Sequence, residues 1–138
     1  MQKIIIDTNV LVSALIQRSY PYFILNNCVF DNQVDLCVSE DLFNEYFEVF
    51  HRPKFYRCPD FLNNAELVLA QIDAIAKKYY PTQQITEISD IPDNRLLELA
   101  VEADADFLIT GNTRDFVMDY YKNTKIVSPK DYWDIYRE

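Results

Sequence analysis

Asp7, Glu45, Asp93 and Asp115 are the residues of this chain whose types and spacing could do chemistry together. Asp7 closes the run Ile4-Ile-Ile6, three β-branched residues without polar alternation, which predicts a strand buried on both faces and ending in a carboxylate. Glu45 belongs to the acidic stripe Asp41, Glu45, Glu48 on a helix that follows a second strand. Asp93 stands in Ile91-Pro-Asp-Asn94 after a third strand, three residues beyond Asp90, and Asp115 closes Thr110-Gly-Asn-Thr-Arg-Asp115 after a fourth. In a parallel sheet the C-terminal strand ends share one edge, where open α/β sheets bind their ligands. Each acid also has a plainer use. Asp93 could cap the helix it precedes, Glu45 could be an exposed helix residue, and Asp115 could be an early-helix acid favoured by the dipole. Asp7 resists such a reading most, because an unpaired charge at a buried strand end is costly.

Two carboxylates ~4 Å apart repel by roughly 4 kcal/mol at an effective dielectric of 20, so several at one edge call for a cation. Oxygen donors, with His51 as the one histidine and three cysteines at irregular spacing, favour Mg²⁺ or Mn²⁺ over zinc or copper. One or two such ions suit phosphodiester hydrolysis, activating a water and steadying the leaving oxygen. Thr8, Asn9, Thr110 and Asn112 would bring hydroxyl and amide groups to the same edge. Gly111 is the one glycine in the chain, and its place after a buried strand predicts a positive φ or a close backbone approach, an ordinary turn being the alternative. In His51-Arg-Pro-Lys-Phe-Tyr-Arg57, the cations Arg52, Lys54 and Arg57 interleave with two aromatics, a composition suited to single-stranded RNA. The same stretch could be a solvated turn with Phe55 packed inward. Arg95 and Arg114 stand beside proposed ligands, where they could reach a phosphate or temper the carboxylates.

The elements that must position these groups alternate. Strands are predicted at Ile4 to Ile6, Asp35 to Ser39, Gln84 to Ile88, Phe107 to Thr110 and Lys125 to Val127. Helices are predicted over Val10 to Ile16, Tyr20 to Phe30, from Ser39 to before Pro53, Phe61 to Tyr79, Asn94 to Ala103 and Thr113 to Tyr121, and a last one opens at Ser128-Pro129. This is an α/β architecture with a mostly parallel sheet and right-handed crossovers. No repeat, linker or low-complexity segment interrupts it, so residues 1–138 read as a single domain.

Hydrophobic residues make up 49 % of the chain and aromatics 14 %, which excludes a disordered chain. No apolar run approaches the ~20 residues that span a bilayer, and no secretory leader pattern opens the chain, so a cytoplasmic protein with no membrane association is expected. Cys28, Cys37 and Cys58 are expected to be reduced and mostly buried. A formal charge of −9 argues against binding nucleic acid through a basic surface and agrees with a carboxylate-rich metal site or a basic protein partner.

Four blocks together resemble the PIN-domain nucleases: Ile-Ile-Ile-Asp7-Thr-Asn-Val-Leu-Val-Ser13; Val38-Ser-Glu-Asp-Leu-Phe-Asn-Glu45 with Arg52-Pro-Lys-Phe55; Asp93-Asn-Arg-Leu-Leu-Glu-Leu-Ala100; and Ala105-Asp-Phe-Leu-Ile-Thr-Gly-Asn-Thr-Arg-Asp-Phe116. They occur in the family's order across the chain, with a flavour closest to the toxins of bacterial toxin–antitoxin pairs (VapC-like). The resemblance implies a three-layer αβα sandwich and an Mg²⁺- or Mn²⁺-dependent endoribonuclease. Its site would be Asp7, Glu45, Asp93 and the acid near Gly111. It also implies an antitoxin that blocks the site, and often a homodimer. Many relatives carry Asp directly after the glycine, where this chain has Asn112, so the fourth acidic role passes to Asp115. Two rivals compete: a catalytically weakened PIN-like module acting through protein–protein binding, and a haloacid-dehalogenase-type phosphatase. The latter needs a second Asp two residues beyond the first, where this chain has Asn9.

Overall fold

The computed structural model describes residues 1–86, 91–111 and 119–138, with the backbone alone at residues 91 and 92. The chain begins with β1 (Lys3–Ile6), α1 (Thr8–Ile16) and α2 (Tyr20–Ile24), the last widening into a π turn over Leu25–Val29. Next come β2 (Asp35–Ser39), α3 (Glu40–Phe50), a 3₁₀ turn at Pro53–Phe55, α4 (Phe61–Ile75) and β3 (Lys77–Tyr79). The remainder is α5 (Ile91–Ala103), β4 (Phe107–Ile109), the hairpin β5 (Tyr120–Tyr121) and β6 (Thr124–Val127), and α6 (Pro129–Asp131), which continues as a π turn over Tyr132–Tyr136.

Among the described residues the sheet runs in the order β3-β2-β1-β4-β6-β5, parallel throughout except for β5 against β6. Ile4, Ile5 and Ile6 are all buried, as a central strand covered on both faces requires. α1 packs on α2, α3 and α4, and α3 on α4, while α5 lies along β1, β2 and β3, giving helix, sheet and helix layers. Start signals read from the sequence are in place. Ser39 Oγ accepts from the Leu42 N–H at 3.1 Å with Glu40 and Asp41 in the first turn of α3, and Ser128 caps α6 ahead of Pro129.

Two expectations change. The helix expected over Phe61 to Tyr79 ends at Ile75: Ala76 turns extended, and Lys77–Tyr79 pairs with Cys37, Val38 and Ser39 as the edge strand. Its two exposed lysines guard that edge. The strand expected at Gln84 to Ile88 is absent over residues 84–86, and 87–88 lie outside the described residues. Residues 82–86 instead run along α5, with the Thr82 hydroxyl donating to Glu102 (3.3 Å) and the Ile85 N–H to Glu98 (2.9 Å), while Ile85 is buried. The helix expected over Thr113 to Tyr121 falls largely outside the described residues, and Tyr120–Tyr121 is strand.

Candidate active site

β1 has β2 on one side and β4 on the other, so the strand order reverses beside it, and crevices open at such switch points. Asp7 stands at that point, buried, as the first residue beyond β1 and the N-cap of α1. Its N–H donates to the Ile109 carbonyl at 3.0 Å, extending the β1–β4 ladder, and the fully buried Thr110 hydroxyl donates to Asp7 Oδ2 at 2.9 Å. Thr8, also buried, donates its hydroxyl to Glu45 Oε2. Two carboxylates from separate elements are thus each fastened by a threonine at the centre of the sheet edge.

Burial pushes the Asp7 carboxyl above its usual value and the Glu45 charge adds to the rise, while the Thr110 hydroxyl and the N–H groups of Thr8 and Asn9 oppose it. Beneath them lies Tyr46, fully buried, whose hydroxyl donates to the Ile6 carbonyl. Burial holds its proton in place well above the ordinary range, with the charges of Asp7 and Glu45 acting the same way. Tyr46 belongs to the apolar stripe of α3, where the sequence does not reveal its polar duty. The signal available was that a tyrosine on an inward stripe has to find its hydroxyl a partner.

Asp93 is buried in the first turn of α5, the helix packed on β1 and β2. Its neighbour Arg95 is exposed and reaches Asp41 at 3.9 Å, and these two line a small cleft with Leu42, Glu45 and Leu96. Asn112, Arg114 and Asp115 lie outside the described residues. Gly111 departs from expectation: its φ is not positive, and a Cβ there would meet nothing within 4 Å among the described residues. Among the described residues, left-handed backbone falls instead on Asn32, Asp60, Asp104 and Lys122.

The basic stretch after α3 is more structural than its composition suggests. Phe55 is buried and stacks on Phe61 at 4.3 Å, and Arg52 pairs with Glu48 at 3.0 Å. Lys54 lies over the Phe55 ring, and Arg57 is exposed. His51 ends α3, between the Phe47 carbonyl and Glu66. The three cysteines are free, Cys28 and Cys37 buried and Cys58 exposed. Among the described residues no helix is long and apolar enough to cross a membrane.

A divalent cation fits the donor chemistry, since the two converging side chains offer only oxygen and the Asp7 carboxyl is raised by burial and a like charge, both of which a cation would offset. Among the described residues, however, no three His, Cys, Asp or Glu side chains form a ready metal cluster. Acidic oxygens at the switch point of a mostly parallel sheet define an α/β protein with a carboxylate-lined crevice. Residues 3–114 match the family model described as PIN domain, and the chain belongs to that family. PIN domains are generally nucleases and typically use divalent metals. No curated protein matches the chain significantly.

Proposed function

We propose that this protein is a divalent-metal-dependent endoribonuclease, taking Mg²⁺ or Mn²⁺. The observation that carries the reading is the pair Asp7 and Glu45, drawn from β1 and α3 and fastened by Thr110 and Thr8 at the sheet's switch point. Asp7 and Glu45 would hold the cation, joined by Asp93 from α5 and by Asp115. A bound cation would supply an activated water and stabilise the charge on the leaving oxygen. The chain's own part is orientation. Thr110 and the first N–H groups of α1 fix Asp7, Thr8 fixes Glu45, and Tyr46 ties the end of β1 to α3 so that the two carboxylates keep their spacing. Arg95, on the exposed start of α5, stands where a scissile phosphate would meet the acidic crevice.

Within this reading the protein acts as a toxin restrained by an antitoxin and works as a homodimer. The strongly acidic surface, with its net charge of −9, supports a basic antitoxin. The competing reading, a PIN module kept for protein binding, draws support from the lack of a three-residue metal cluster among the described residues. Incubating the protein with mixed single-stranded and structured RNA under Mn²⁺, Mg²⁺ or EDTA, beside Asp7→Asn, separates the two. Metal-dependent cutting that the substitution lowers by at least about a thousandfold is expected. Inert wild type would favour the binding module.

A further inference from the structure

A second cleft opens on the far side of α3 from Arg95, about 230 Å³ in volume. Its floor is the C-terminal ends of β2 and β3, Val38, Ser39 and Lys78, and its walls are Phe43, Tyr79 and Tyr80. These strand ends lie on the edge that carries Asp7, two strand spacings or roughly 10 Å away across the order β3-β2-β1. Asn44, which also lines the cleft, precedes Glu45 on α3, so one helix presents an amide to this cleft and a carboxylate to the acidic crevice. Tyr80 is 72 % exposed, while Phe43 and Tyr79 are half-buried. Two acids line it as well, Asp73, which pairs with Lys78 at 2.8 Å, and Glu40 in the first turn of α3.

We propose that this cleft is a nucleobase subsite, in which Phe43, Tyr79 and Tyr80 stack an unpaired base of the RNA and Asn44 reads its edge. The proposal rests on the ribonuclease reading above and names how that substrate is gripped. The charge argument leads to it. At −9 the protein gains little overall from counterion release, and Lys78, the cation that lines the cleft, is paired with Asp73, so contacts to the base carry the grip at this place. Stacking on an aromatic wall is the sequence-tolerant means of doing so, and it selects single strands because a paired base does not offer its face. The amide of Asn44 adds a donor and an acceptor, which suits a base edge more than a phosphate.

The test is binding of a short single-stranded oligoribonucleotide carrying 2-aminopurine to the full chain in EDTA, for wild type, Tyr80→Ala and Tyr80→Trp. Tyr80 is exposed, so neither substitution disturbs the core. The expected result is a loss of affinity of about tenfold or more in Tyr80→Ala, recovery in Tyr80→Trp, a shallow salt dependence and much weaker binding of duplex RNA. In cleavage with Mn²⁺, Tyr80→Ala should raise KM and leave kcat close to wild type. Equal affinities of wild type and Tyr80→Ala, binding that favours duplex, or no RNA binding at all would overturn the subsite. Cleavage indifferent to Tyr80 removes the subsite and leaves the nuclease; Tyr80-dependent binding without any cleavage does the reverse.

Discussion

In metal-free buffer Asp7 should work against the fold that contains it. Its carboxyl is raised by burial first and by Glu45 in support, so the folded protein holds that proton to higher pH than the unfolded chain does. Between the ordinary value, about 3.9, and the raised one, the native state binds more protons, and the stability linked to Asp7 falls as pH rises through that window. Asp7→Asn removes the effect while keeping an acceptor for Thr110. Urea midpoints taken across a pH series should therefore show the variant gaining on wild type through the window and at least equalling it above. Tyr46→Phe makes the opposite trade. It leaves the buried Ile6 carbonyl without its side-chain donor and should cost about 1–2 kcal/mol in equilibrium unfolding.

At the scale of elements, the ends are where specific residues decide. Ser39→Ala should lower stability by about 1 kcal/mol in chemical denaturation, since the Leu42 N–H loses its acceptor at the start of α3. α5 closes in a Schellman arrangement, with the Asp104 N–H on Val101 O at 3.2 Å and the Ala105 N–H on Ala100 O at 3.1 Å, and Asp104 takes φ 50 where glycine is usual. Asp104→Val should cost roughly 1–2 kcal/mol, because a β-branched residue tolerates that backbone poorly. Such positions explain what the sequence conceals. Ile4 to Ile6, the α3 cap and the place of Asp7 beyond β1 were legible because burial pattern and cap chemistry are local. β3 was not, since Lys77, Lys78 and Tyr79 carry no alternation and follow a helix without a break. Residues 84–86 suggested a strand through Ile85, but that side chain is buried against α5 with its N–H on Glu98, a tertiary bond that no local pattern announces. Gly111 misled for the complementary reason, because in a chain with one glycine the left-handed positions among the described residues fall to Asn, Asp and Lys. Of the candidate site, the sequence offered Asp7, Glu45 and the hydroxyls of Thr8 and Thr110 at one edge, but not which carboxylate each threonine ties, the Tyr46 prop or the cleft under Tyr80.

For the molecule as a whole, a ligand that binds only the assembled edge stabilises every element at once. Mn²⁺ at a hundred times its Kd should add about 2.7 kcal/mol and raise Tm by several degrees, and the shift should vanish in Asp7→Asn. The strand order has a further consequence for synthesis. Asp7 and its partner Thr110 are 103 residues apart, and β1 completes its ladders only when β4 arrives beside it. Contacts of such separation form late, after loop closure has been overcome. A chain still emerging from the ribosome carries Asp7, Thr8 and Glu45 long before it carries Thr110, so the crevice cannot be assembled until synthesis has passed β4. Under the ribonuclease reading proposed above, the order in which this sheet is threaded would keep the nascent chain harmless to the RNA that surrounds it, including the message from which it is being made.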